Sequence, residues 1–126
     1  MKKTKYVAEW FKHGDADLKA AEILLREGGP AHVICFHAQQ IGEKYLKGYV
    51  AAQSKSIRKI HQLDELLNEC EQLDHSFESL RHSVFYLAEF YIETRYPGDI
   101  PEVGIKTASK AVDAAKELRD FVLKKF

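Results

Sequence analysis

Apolar residues recur along the chain at steps of three and four, with polar positions falling between them in stripes. From Lys5 to Glu27 the series Val7, Trp10, Phe11, Gly14, Leu18, Ala21, Leu24 and Leu25 predicts a helix with one inward face. Gly28-Gly29-Pro30 predicts its stop, because glycine accepts the left-handed cap and proline suits the first turn of a following helix. So short a connection makes the first two helices an antiparallel pair. The second helix, from about Ala31 to Gln53, carries two apolar rows: Ile34, Ala38, Ile41, Tyr45 and Tyr49, then Cys35, Gly42 and Leu46 beside them. A helix with two such rows is packed on two sides. Its polar remainder is a narrow stripe, His37, Gln40, Lys44 and Lys47, whose spacing points all four side chains one way.

The run Ser54 to Ile60 is polar without a period and predicts a loop. A short third helix follows from His61 to about Leu73, with Leu63, Leu66, Leu67 and Cys70 inward and Asp64 and Glu65 at its positive end. Ser76 is the expected N-cap of a fourth helix reaching about Thr94, with Leu80, Val84, Leu87 and Tyr91 on one row and Phe77, Phe85, Ala88 and Ile92 on another. Tyr86 and Phe90 widen that arc beyond one internal face, and a partner surface is the usual outlet. Arg95 to Pro101 ends the helix, since Tyr96 and Ile100 each precede a proline and leave the α region. A fifth helix from Glu102 or Val103 runs to the C-terminus with Ile105, Ala108, Val112, Ala115, Leu118 and Val122 inward. No strand alternation or repeat is present. The expected architecture is all-α, an up-and-down four-helix bundle with an additional short helix, forming a single domain over residues 1–126.

Charge changes the picture only locally. The chain's 19 basic and 19 acidic residues cancel, so no global field draws nucleic acid or an anionic membrane. No apolar run approaches the roughly 20 residues of a membrane span, and the polar start lacks a signal-peptide core, so the expectation is a soluble cytoplasmic protein. Cys35 and Cys70 fall among apolar helical neighbours and read as reduced core residues. Between Lys44 and Lys59 stand five bases and no acid, whereas between Ile60 and Leu80 stand six acids and neither Lys nor Arg. This polarity reads either as a patch for phosphate or an acidic partner, or as neighbouring segments that neutralise each other.

The familiar catalytic spacings do not occur. There is no HExxH, CxxC or repeated Glu-x-x-His, so no metal site is expected; His61 with Glu65 and Glu78 with His82 are isolated helical pairs. The serines lack a G-x-S-x-G setting, Cys35 lacks a basic neighbourhood, and Gly28-Gly29 leads into a proline without the N–H a phosphate would use, so no cofactor is expected. The remaining expectation is a groove between helices on which Asp17, the His37, Gln40, Lys44 and Lys47 stripe, Arg95 and Tyr96 converge as binding residues. Its alternative is a solvated Asp17 and an Arg95 that caps helix carbonyls.

Four stretches carry a family resemblance: Asp17-Leu18 with Ala21, the C-F-H-A-Q-Q-x-x-E-K-x-L-K run from Cys35 to Lys47, His61-x-Leu63-x-x-Leu66, and Tyr91-Ile92-x-Thr94-Arg95-Tyr96-Pro97-Gly98. In this order and over nearly the whole chain they resemble a prokaryotic HEPN domain of the type associated with minimal nucleotidyltransferases. The resemblance implies an all-α up-and-down bundle, a homodimer, pairing with a minimal nucleotidyltransferase, sometimes in toxin-antitoxin-like systems, and nucleotide binding by some members.

Catalytic members of that family are metal-independent ribonucleases with an Arg followed, after four to six residues, by a His. The resemblance breaks here. Arg95 leads to Ile100, Pro101 and Glu102, while Arg58, Arg81 and Arg119 also reach no His. Arg26 and His32 have the spacing, but Gly28-Gly29-Pro30 breaks the helix between them. A non-catalytic module that binds a nucleotidyltransferase or a nucleotide is therefore the leading expectation. The alternatives are a ribonuclease toxin, with His37 or His82 as base and Arg95 steadying the phosphate of an RNA, and a structural helical adaptor.

Overall fold

A computed structural model describes residues 1–53, 55–56, 59–60, 62–91, 96–100 and 102–126. Its described residues form an all-α bundle of α1 (Lys5–Glu27), α2 (Ala31–Ala52), α3 (Leu63–Leu73), α4 (Arg81–Ala88) and α5 (Ile105–Leu123). Two 3-10 turns, His75–Leu80 and Pro97–Asp99, precede α4 and α5. Buried residues from all five helices join one core.

α1 starts where Thr4 accepts a hydrogen bond from the Val7 amide at 3.2 Å and ends where Gly28 turns left-handed, φ 72°. The orphan carbonyl of Leu24 is then met by the Gly28 and Gly29 amides. After Pro30 the chain reverses into α2, which is about 33 Å long at 1.5 Å per residue. α2 packs against α1, α3, α4 and α5, and Ile34, Cys35, Ala38, Ile41, Tyr45, Leu46 and Tyr49 are all buried. The packing on two sides expected from its two apolar rows is present.

Glycine sets the α1–α2 distance. A Cβ on Gly14 would meet the Tyr45 ring at 2.8 Å, and one on Gly48 would strike Phe11. This close approach lets the Phe11 and Tyr45 rings stack at 4.6 Å and 9°. The C-terminus closes over the same rings, with Phe126 edge-on to Phe11 at 5.3 Å.

Several boundaries differ from expectation. Asp74, not Ser76, caps the segment before α4: its carboxylate accepts from the Ser76 amide at 2.9 Å and starts a 3-10 turn. The α-helical part of α4 begins only at Arg81 and ends at Ala88, short of Thr94, which lies with Ile92, Glu93 and Arg95 outside the described residues. Ile105, expected inward, is the first residue of α5 and 49% exposed; the buried row begins at Ala108. Among the described residues, the wide apolar arc of the fourth helix is mostly consumed internally, since Phe77, Leu80, Val84, Leu87 and Phe90 are buried while Phe85 is exposed. His61 and Arg58 also lie outside the described residues. Among those described, no helix is long and apolar enough to cross a membrane.

Candidate functional site

The α1–α2 seam brings together four of the seven residues singled out from sequence. Asp17 faces α2 one turn beyond Gly14, and both of its oxygens are occupied. Oδ1 lies 2.8 Å from His37 Nδ1, and Oδ2 accepts from Lys44 Nζ at 2.6 Å. Lys44 also donates to Gln40 Oε1 at 3.4 Å, and Gln40 donates to Gln39 at 2.7 Å. Positions 37, 40 and 44 share one face of α2, so a single carboxylate on α1 can reach both His37 and Lys44.

The cluster is half-buried: the side chains of His37, Lys44 and Asp17 are 25%, 22% and 14% exposed. Burial works against the Asp17 charge, but the hydrogen bonds from His37 and Lys44 outweigh it and hold the carboxyl below its ordinary value. Asp17 is thus a half-buried anion held by His37 and Lys44, not the fully solvated carboxylate of the alternative reading.

Lys47 does not join them. It is buried, 3.8 Å from Glu43, with its ammonium 5.6 Å from the Trp10 ring centroid. Burial, and secondarily the nearby Lys44 charge, lower its pKa against the pull of Glu43. Tyr96 is 74% exposed in extended backbone ahead of the Pro97–Asp99 turn, and Arg95 lies outside the described residues. The basic run therefore does not act as one patch, because Lys44 and Lys47 are engaged by acids of α1 and α2. On the acidic side, Glu71 binds Arg81 in bidentate fashion at 2.7 and 3.0 Å and Asp74 binds Lys125 at 2.9 Å, so part of that run is neutralised within the chain.

Sequence reasoning missed a second junction. Asp15 Oδ1 accepts from both Tyr45 Oη and Arg119 Nε, joining α1, α2 and α5. Burial again opposes its charge, but the bonds from Arg119 and Tyr45 lower its pKa. Also missed were the buried Gln39 and Glu43. The i, i+4 spacing of Glu43 and Lys47 was the available signal. His82 stands apart, in a shallow cleft of about 180 Å³ with Ser83, Tyr86, Lys110, Asp113 and Glu117 between α4 and α5. Among the described residues no three His, Cys, Asp or Glu side chains are grouped to hold a metal ion.

The fold and the seam define a helical bundle domain with an Asp-His-Lys cluster between its two longest helices. The model of the HEPN domain matches residues 7–125, and the chain belongs to the HEPN domain family. An archaeal HEPN homologue shares the fold with a TM-score of 0.75 at 24% identity, covering 99% of this chain and 98% of that one. The protein TT1696 from Thermus thermophilus gives a TM-score of 0.80 at 29% identity, covering 98% and 100%. The curated proteins contain no match.

Proposed function

We propose that this HEPN domain is a non-catalytic binding module, acting as a homodimer, that takes a nucleotide or a minimal nucleotidyltransferase on the α1–α2 surface around Asp17. A role in a toxin-antitoxin-like pair follows from that reading. The observation that carries it is the fixed cluster itself. Asp17 holds His37 and Lys44 in place while leaving all three partly open to solvent, with the Gln40 amide beside them. Donors held in this way lose little freedom when a polar ligand arrives. Lys44 has three N–H donors and gives two to Asp17 and Gln40, leaving one for a phosphate or carbonyl.

Titration of the dimer with ATP tests the proposal. Binding is expected to saturate and to weaken roughly tenfold or more in Lys44→Met, the effect of losing a charge-assisted hydrogen bond. Equal binding by the folded variant rejects the site. If neither ATP nor a nucleotidyltransferase binds, the adaptor reading replaces it.

One observation favours the ribonuclease reading. His37 Nδ1 rests on Asp17, the arrangement that orients an imidazole as a general base through its other nitrogen. The missing Arg-to-His spacing weighs against it.

A further inference from the structure

The fourth helix leaves one aromatic ring outside the core. Val84 and Leu87 are fully buried, but Phe85 between them is 54% exposed and lies on a groove of about 360 Å³ between the start of α3 and the end of α4. Gln62, Asp64, Ala88, Glu89 and Tyr91 line the rest of it. Its apolar residues are Phe85, Ala88 and Tyr91, and its two charged residues are both acids.

The acidity extends beyond the groove. From Ile60 to Tyr91 the chain has seven acids and a single Lys or Arg, which is Arg81. Arg81 is engaged by Glu71, which it holds with two nitrogens at 2.7 and 3.0 Å, and Asp74 is met by Lys125 at 2.9 Å. Asp64 and Glu89 form no ion pair among the described residues. Helix electrostatics explain Asp64 and not Glu89. Asp64 stands in the first turn of α3, where an anion complements the helix dipole. Glu89 follows directly on α4 as its C-cap, where an anion opposes the dipole. The exposed Phe85 ring likewise adds little apolar burial to the core. A charge and a ring that folding does not use therefore lie in the same groove.

We propose that this groove docks a cationic amphipathic helix of a partner protein, with an apolar side chain seated against Phe85 and Ala88 and a Lys or Arg on Glu89. Among the described residues no strand offers an edge to an extended peptide, so a helix in the groove is the mode this surface provides. The acids repel nucleic acid and anionic lipid. A second copy paired here about a two-fold axis would bring the acids of both chains together while Arg81, the one Arg of this face, is already engaged, so the proposed homodimer uses another face. The groove shares no residue with the Asp17 cluster.

Fluorescence anisotropy with a labelled helical peptide of leucine and lysine, about 18 residues long with its leucines on one face, tests the proposal on the full chain. Binding is expected at low salt and should weaken roughly tenfold in Phe85→Ala, the loss of a central aromatic contact. Glu89→Gln should weaken it about fivefold at low salt and reduce its salt dependence, without lowering the thermal midpoint of the free protein. The control Glu22→Gln/Glu27→Gln removes acids from α1 and should retain wild-type affinity, and the same peptide with glutamate in place of lysine should not bind. No binding at low salt, equal binding of the glutamate peptide, an unaffected Phe85→Ala or Glu89→Gln protein, or an equal loss in the control overturns the proposal. Sedimentation of the chain alone supplies one more test: a dimer that dissociates on Phe85→Ala assigns the groove to a second copy and overturns it as well. Circular dichroism checks that each variant is folded. ATP binding at Lys44 is measured without the peptide, so the two proposals are separable.

Discussion

Lys44 Nζ lies 2.6 Å from Asp17 Oδ2 across the α1–α2 seam, and the other oxygen of the same carboxylate meets His37 Nδ1. One acid on α1 therefore fixes two turns of α2. Replacing it leaves a half-buried ammonium without its counter-ion, so Asp17→Asn should lose about 2 kcal/mol near neutral pH in urea unfolding.

The pH dependence of that loss has a definite sign. The folded Asp17 carboxyl lies below its ordinary value of 3.8, so its stabilisation is complete above that value and disappears as pH falls toward the depressed folded value. The gap between wild type and Asp17→Asn should shrink as pH falls below about 4. Asp74, held down to about 2 by Ser76 and Lys125, should prolong the acid decline of the wild type in the same direction. A gap independent of pH would contradict the assignment.

Helix contact at the seam should be sensitive to single methyl groups. Gly14→Ala forces a Cβ against the Tyr45 ring, and Gly48→Ala against Phe11, in a stack that cannot easily yield. Overpacking costs of about 1–3 kcal/mol exceed the roughly 1 kcal/mol gained in helix propensity, so both variants should be net destabilised. Gly98→Ala, with nothing within 4 Å of its Cβ, should be close to neutral. Thermal unfolding of the three proteins provides the comparison.

Both thiols should be inert in the native protein. Burial pushes Cys35 up to about 11 and raises Cys70, first by burial and then by Glu69 and Glu71. At neutral pH the thiolate is scarce and enclosed. Reaction with a thiol-specific disulfide reagent should therefore track global unfolding, with two thiols released together. Fast labelling of either in folded protein would contradict this placement.

The bundle was legible because α1, α2 and α5 obey a helical period over many turns. The partial site was legible for the same reason: His37, Gln40 and Lys44 share a face, and Asp17 borders the inward row of the antiparallel neighbour. Lys47 follows the same spacing but rotates into the core toward Trp10, because Glu43 supplies a local charge that lets an ammonium be buried. The start of the fourth helix was misread for a geometric reason. Phe77 and Leu80 are three apart, a spacing that serves a 3-10 turn as well as an α-helix, so the pattern could not separate the two. Ser76 looked like a cap but is itself bonded to the Asp74 carboxylate. The Asp15, Tyr45 and Arg119 junction joins residues 104 positions apart, and no local period encodes such a meeting.

The central claim is that this HEPN domain binds without cutting. Incubation of a labelled single-stranded RNA with the purified protein in the presence of a chelator measures it directly. The account predicts intact RNA at long times, indistinguishable from a blank. Cleavage by the wild-type protein that disappears in His37→Ala, His82→Ala or Arg95→Ala would contradict it and make the chain a ribonuclease.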